Sequence, residues 1–183
     1  MSDDSLLVRP HHRFRASYVE ALREGFVWAA QAPAQADAIA FADAHFADYL
    51  KQLDEDGQWA RPGQGPALSG VPSNTFWLVE GEEFIGAVNI RARIDTAPLA
   101  HFGGHVGYAV RPSRQRQGHG RRQLALALDI CRGMGLGVAR LSCAEDNMGS
   151  RRIIEANGGL LLRRCEPAWY APYFYLLYEI PLL

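Results

Sequence analysis

One segment narrows the folds open to this chain more than any other: HVGYAVRPSRQRQGHGRRQLALALDICRGMGLG, residues 105–137. HVGYAV, 105–110, has the composition of a strand. It runs through a proline and two closely spaced glycines into a helical pattern over about 118–134. Leu124, Leu128 and Cys131 give that helix a buried stripe, and the glycines of GMGLG are suited to cap its end. VARLSCA, 138–144, reads as the next strand. A strand–helix–strand crossover of this length belongs to a layered α/β protein, not to a bundle or a β-sandwich.

The flanking sequence extends the pattern. FRASYVEALREGFVWAA, 14–30, places Phe14, Tyr18, Leu22 and Phe26 at helical spacing, and 36–53 does the same through Ile39, Phe46, Tyr49, Leu50 and Leu53. Pro33 separates the two helices, and residues 56–74, rich in Gly and Pro, read as a long loop. TFWLVEGEEFIGAVNIRARI, 75–94, reads as two strands around a turn at Gly81–Glu82. Strict alternation puts Phe84, Gly86, Val88, Ile90, Ala92 and Ile94 on one face, and Asn89, Arg91 and Arg93 on the other, with solvent as the default for the polar row. Residues 147–159 read as a short helix with Asn147 as N-cap and Gly158 as C-cap, followed by two final strands. A single domain over 1–183 is expected.

Composition excludes several classes. A net charge of −1 gives no electrostatic basis for bulk nucleic-acid or membrane binding. The acidic start is not a signal peptide, and no apolar run is long enough to span a bilayer. Cys131, Cys143 and Cys165 lack metal-type spacing and read as reduced thiols of a cytoplasmic protein, the first two in the core. No His, Cys or carboxylate spacing resembles a metal site, and the pair His11–His12 suits a solvated loop.

Gly118 and Gly120 stand where a strand turns into a helix. The first amides of a helix have no internal acceptor and can hold an anion. Missing β-carbons at 118 and 120 would admit phosphates close to the backbone, with Arg111, Arg114, Arg116, Arg121 and Arg122 around them. The chemistry suggested is diphosphate binding. The dinucleotide fingerprint fails, because Gln123 stands where its third glycine belongs, and the nucleoside-triphosphate loop fails for want of a lysine.

The segment resembles the GNAT superfamily of acyl-CoA-dependent N-acetyltransferases, whose phosphate loop has the form [Q/R]-x-x-G-x-[G/A]. Here Gln115-Arg116-Gln117-Gly118-His119-Gly120 follows Val110-Arg111-Pro112, as that loop follows V-x-P, and Asn147, Ser150 and Gly158 match the downstream asparagine, small polar residue and helix-ending glycine. The resemblance implies a three-layer α/β fold: a strongly twisted mixed sheet, helices on both faces, and a V-shaped acyl-CoA cleft between 105–110 and 138–144, within a core of about 75–165. It implies that main-chain groups of Tyr108, Ala109 and Val110 pair with the pantetheine arm, an amide near Val110 polarising the thioester carbonyl. Amides from Arg116 to Arg121 would hold the diphosphate, those of His119 and Gly120 included. Asn147 would bond pantetheine or the sulfur region, and Ser150 and Arg151 would lie near the arm or the adenosine phosphates.

The implied reaction is transfer of an acetyl group from acetyl-CoA to a small-molecule, peptide or protein amine by direct attack, without a metal and without a covalent cysteine. The family's usual helix tyrosine is replaced by Ile154, and its glycine–aromatic pair by Gly158–Gly159. Substitute acids lie among Tyr173, Tyr175 and Tyr178. His105 is a candidate base or a strand-end residue with one backbone hydrogen bond, and Glu80 and Glu179 are weaker candidates. A non-catalytic acyl-CoA sensor, a different diphosphate-binding domain and a larger acyl donor remain open, and the final strand could pair across a homodimer.

Overall fold

The computed structural model describes residues 5–27, 36–55, 71–168 and 171–182. Its elements run β1 (Leu6–Val8), α1 (Arg15–Arg23), α2 (Ala36–Ala44), α3 (Phe46–Glu55), β2 (Ser73–Glu80), β3 (Glu83–Arg91), β4 (Val106–Val110), α4 (His119–Gly133), β5 (Val138–Ala144), α5 (Met148–Ala156), β6 (Leu160–Cys165) and β7 (Tyr175–Pro181). Strands β1 to β4 form one antiparallel sheet in that order, and β5, β7 and β6 form a second in that order. Helices lie on both faces, as an α/β three-layer protein requires. One core packs Phe14, Tyr18, Leu22, Phe26 and Phe46 of the α1–α3 side against Trp77, Val79 and Phe84. The other packs Leu124, Leu128 and Cys131 of α4 and Ile154 of α5 against Val88, Ile90, Leu141, Tyr178 and Ile180. No helix among the described residues is long and apolar enough to cross a membrane.

The expected helix over 36–53 is two helices, α2 and α3, parted at His45, and the helix expected over 14–30 ends at Arg23, with Phe26 buried beyond it. Strand β1, not expected, pairs three residues with the edge of β2. Pro33 and residues 56–70 of the long loop lie outside the described residues, while Ser73 and Asn74 already belong to β2.

The main correction concerns β3. Leu78 pairs with Gly86 and Val79 with Phe84, so Ile85 is an extra residue. A one-residue bulge sends the side chains on either side of it to opposite faces. Phe84 therefore joins the α1–α3 core with Ala87, while Val88 and Ile90 face α4, and the shared face expected for Phe84, Val88 and Ile90 does not form. The strand stops at Arg91, leaving Ala92 exposed. Asn89, expected to face solvent by default, is 7% exposed.

Among the described residues, a backbone hydrogen bond links the two sheets at the start of β4. The His105 N–H donates to the Arg140 carbonyl at 2.8 Å, and Gly104, at φ +63°, lies so close that a β-carbon there would collide with that carbonyl. Beyond that point β4 and β5 are edges of different sheets, and no ladder joins them among the described residues.

Candidate active site

The open edge of β4 follows from its register. The His105 carbonyl accepts from Arg91 N–H, and Arg111 N–H donates to Ile85. Backbone groups alternate sides along a strand, so odd-numbered positions serve β3, and Val106, Tyr108 and Val110 present theirs to the unpaired edge. Ala109, expected to share in ligand pairing, has its main chain turned to Ala87 of β3. The Val110 carbonyl is taken by Gln115 Nε2 at 3.1 Å, which leaves the amides of Tyr108 and Val110 on that edge.

The edge leads directly into α4. Gly118 is the N-cap, at φ +93°, and nothing among the described residues lies within 4 Å of where its β-carbon would sit. Arg116, at φ +61°, is the only non-glycine with positive φ among the described residues. Two left-handed residues within three positions curl the backbone tightly, as in anion-binding nests. The first intrahelical bond is Arg122 N–H to Gly118 carbonyl at 3.1 Å, so the amides of His119, Gly120 and Arg121 have no helical acceptor. Gly120 serves a different purpose from the one expected. A β-carbon there would lie 2.6 Å from Ile153 Cδ1, so its bareness lets α4 pack on α5 and does not admit a ligand. The His119 ring is buried, 3.5 Å from Glu80.

Helix α5 brings the remaining residues to the same place. The Asn147 Oδ1 caps the helix by accepting from Ser150 N–H at 3.0 Å, and its Nδ2 makes no hydrogen bond among the described residues. The Tyr108 hydroxyl donates to the Ser150 carbonyl at 3.4 Å, and Asn157 Nδ2 donates to the Arg121 carbonyl at 3.3 Å. The β4 edge, the 115–121 loop and Asn147–Arg151 thus form one continuous wall.

The arginines divide into two sets. Arg111, expected to neutralise phosphate, is 2% exposed and consumed elsewhere. It pairs with Glu24, with Glu20 at 3.3 Å and with Glu83 at 3.3 Å, and donates to Ser17 Oγ at 3.1 Å. Glu24 also accepts from Ser113 N–H, and Arg114 is held by Glu83. The hydrogen bond from Arg111 lowers the Glu24 pKa to about 2. This cluster ties α1 and the β2–β3 turn to the start of the loop. Its partners lie 28 to 94 positions apart in sequence, beyond any local pattern. Arg116, Arg121, Arg122 and Arg151 make no ion pair among the described residues.

The candidates for proton transfer lie at the other end of β4. The His105 Nδ1 accepts from Arg140 N–H at 2.9 Å, and burial, then Arg140 and Arg91, lower its pKa. The ring is therefore neutral, with its proton on Nε2. Tyr173 is 45% exposed, edge-on to Phe102 at 6.1 Å, and its pKa is raised by burial and by Asp146. Tyr175 is buried, also against Phe102, and the buried Tyr178 donates to Glu155 at 3.1 Å. Ile154 is fully buried and pressed against Gly159. Burial pushes the Cys143 thiol up to about 11, so no thiolate is available there at neutral pH.

Among the described residues, the unpaired edge of β4 runs into a helix N-terminus whose first amides have no helical acceptor, in an α/β protein of two antiparallel sheets. The profile of the acetyltransferase (GNAT) family matches residues 38–158, and the chain belongs to that family. Among curated proteins no sequence match is found. The fold resembles that of Mycobacterium smegmatis RimJ in complex with CoA-disulfide (19% identity, 97% of this chain and 81% of that one, TM-score 0.67). It also resembles the microcin self-immunity acetyltransferase MccE in complex with acetyl-CoA and AMP (12%, 98% and 93%, TM-score 0.65). A chimera of the Vibrio cholerae spermidine N-acetyltransferase SpeG and hSSAT matches at 13% identity over 98% of this chain and 96% of that one, with TM-score 0.63.

Proposed function

We propose that the protein transfers an acetyl group from acetyl-CoA to an amine. The observation that carries this reading is the continuity of the β4 edge with the α4 N-terminus. Pantetheine would add to β4 as a strand does, through the amides of Tyr108 and Val110. The diphosphate would lie against the amides of His119, Gly120 and Arg121 and the curled backbone of Gln115, Arg116, Gln117 and Gly118. Arg116 and Arg121 would supply charge, Asn147 Nδ2 would reach the arm near the sulfur, and Ser150 and Arg151 would line it.

The chemistry needs no enzyme nucleophile. The amine nitrogen attacks the thioester carbonyl, whose oxygen is polarised by the Tyr108 amide, the one of the two open-edge amides farther from the phosphate loop and nearer the His105 end. The C–N bond forms, the C–S bond breaks, and the amine gives up a proton to solvent water, because His105, with Nδ1 engaged by the Arg140 N–H and its proton on Nε2, has no free lone pair with which to act as the base considered for it. The CoA thiolate takes a proton from Tyr173, which is protonated at neutral pH as any tyrosine is, and the tyrosinate recovers its proton from solvent.

Calorimetric titration with acetyl-CoA, CoA and ADP in parallel tests the reading. Binding of acetyl-CoA that ADP does not match, lost in a folded Gly118→Glu variant, is expected. No acetyl-CoA binding, or ADP binding equally well, would sink it.

A further inference from the structure

The sheet face under α1–α3 changes character along its length. Around Trp77, Val79, Phe84 and Ala87 it is apolar. Towards the other end of the strands it carries Ser73, Thr75, Asn89, Arg91, His105 and Gly107. Register sets these side by side, with Ser73 opposite Arg91, Thr75 opposite Asn89, and Asn89 opposite Gly107.

Two polar groups in this patch are buried and unpaired. Asn89 Nδ2 donates to Ser73 Oγ at 2.8 Å and to Thr75 Oγ1 at 3.3 Å. Among the described residues its Oδ1 has no hydrogen-bond partner, and neither does Arg91 Nε. Buried polar atoms left unpaired are uncommon enough to need an explanation. Beside Asn89, where a β-carbon on Gly107 would point, no atom of the described residues lies within 4 Å. Among the described residues, the face beside the buried Asn89 thus has room above Gly107 of the strand proposed to carry the acyl arm. The charge there is one-sided. Arg140 is neutralised by Glu179 at 2.7 Å, His105 is neutral, and Arg91 makes no ion pair among the described residues.

We propose that Asn89 and Arg91 form the acceptor subsite, and that the acceptor is an amine carrying a carboxylate a few bonds away. The amine N–H donates to Asn89 Oδ1, and the carboxylate pairs with the Arg91 guanidinium. Residues two apart on a strand face are about 7 Å apart at Cα. Side chains converging from that separation can hold both ends of such a molecule. A free amino acid and the N-terminus of an acidic peptide share this chemistry. A polyamine does not, because its second cation would face Arg91. The proposal rests on the acetyltransferase reading.

The test uses the full chain with acetyl-CoA and five acceptors: aspartate, a tetrapeptide with acidic second and third residues, the carboxamide counterpart of each, and spermidine. At least one carboxylate-bearing acceptor is expected to exceed its counterpart by about 10-fold in kcat/KM. Arg91→Gln is expected to abolish that preference by raising the acceptor KM about 10-fold, with kcat and the acetyl-CoA Kd unchanged, and Arg91→Lys to keep part of it. Asn89→Ala should raise KM for charged and uncharged acceptors alike. Preference for spermidine or the carboxamides, or an equal loss on all acceptors in Arg91→Gln, would overturn the subsite alone, whereas no turnover with any amine by enzyme that binds acetyl-CoA would overturn the subsite and favour a non-catalytic acyl-CoA-binding protein. Failure of the wild type to bind acetyl-CoA would overturn the parent reading and the subsite with it.

Discussion

Replacing Glu24 with glutamine removes one negative charge from the Arg111 cluster and keeps an oxygen that can accept a hydrogen bond. The Glu24 pKa falls from 4.5 to about 2 in the folded protein, chiefly through its bond from Arg111. A difference of that size corresponds to about 3.4 kcal/mol before solvent is considered. Glu24 retains 24% side-chain exposure, and screening with the surviving hydrogen bond brings the expected loss to about 1–2 kcal/mol at pH 7. For a chain of this length that is a fall in Tm of about 2–8 °C. The pH dependence follows from the sign of the shift. A carboxylate held below its unfolded value contributes fully above pH 4.5 and loses that contribution as pH falls towards 2. At pH 3.5 about three-fifths should remain. Urea denaturation of both proteins at pH 7, 5 and 3.5 measures the gap directly. A gap that stays constant across this range, or no gap at pH 7, would refute the view that Arg111 and Glu24 are coupled in the fold.

Three further outcomes are expected. Gly120→Val should drive α4 from α5 against Ile153, costing about 1–3 kcal/mol by thermal unfolding and weakening acetyl-CoA in calorimetry; an unchanged Kd would separate helix packing from the phosphate loop. Ile154→Tyr, which restores the family's usual residue type, should destabilise by about 1–3 kcal/mol without raising kcat, because the position is fully buried; a gain in turnover would show that the hydroxyl reaches the sulfur. Tyr173→Phe should lower kcat about 100-fold in steady-state assays with the acetyl-CoA Kd unchanged, and an unaffected kcat would mean that water supplies the proton.

The legible parts of this protein are those written locally. The crossover from β4 through α4 to β5, the hairpin turn at Gly81–Glu82 and the Asn147 cap each lie within a few residues of the signal that marks them. What escaped the sequence was set by distant contacts or by single insertions. No local pattern singles out Glu20 on α1 or Glu24 just beyond it, and only the folded chain brings Arg111 between them. Ile85 is one apolar residue in an apolar run, yet as a bulge it decides which core receives Phe84 and which receives Val88. Gly118 and Gly120 look equivalent in the loop, but one is fixed by a left-handed backbone and the other by a neighbouring helix. The polar row on β3 shows the same limit. Alternation placed Asn89 and Arg91 on a common face correctly, but their burial depends on what covers that face. A hydrophilic face beneath helices is either paired within the protein or kept for something that binds there. Ser73 and Thr75 satisfy only one end of the Asn89 amide, and no carboxylate among the described residues meets Arg91, so the second alternative is the one the contacts favour.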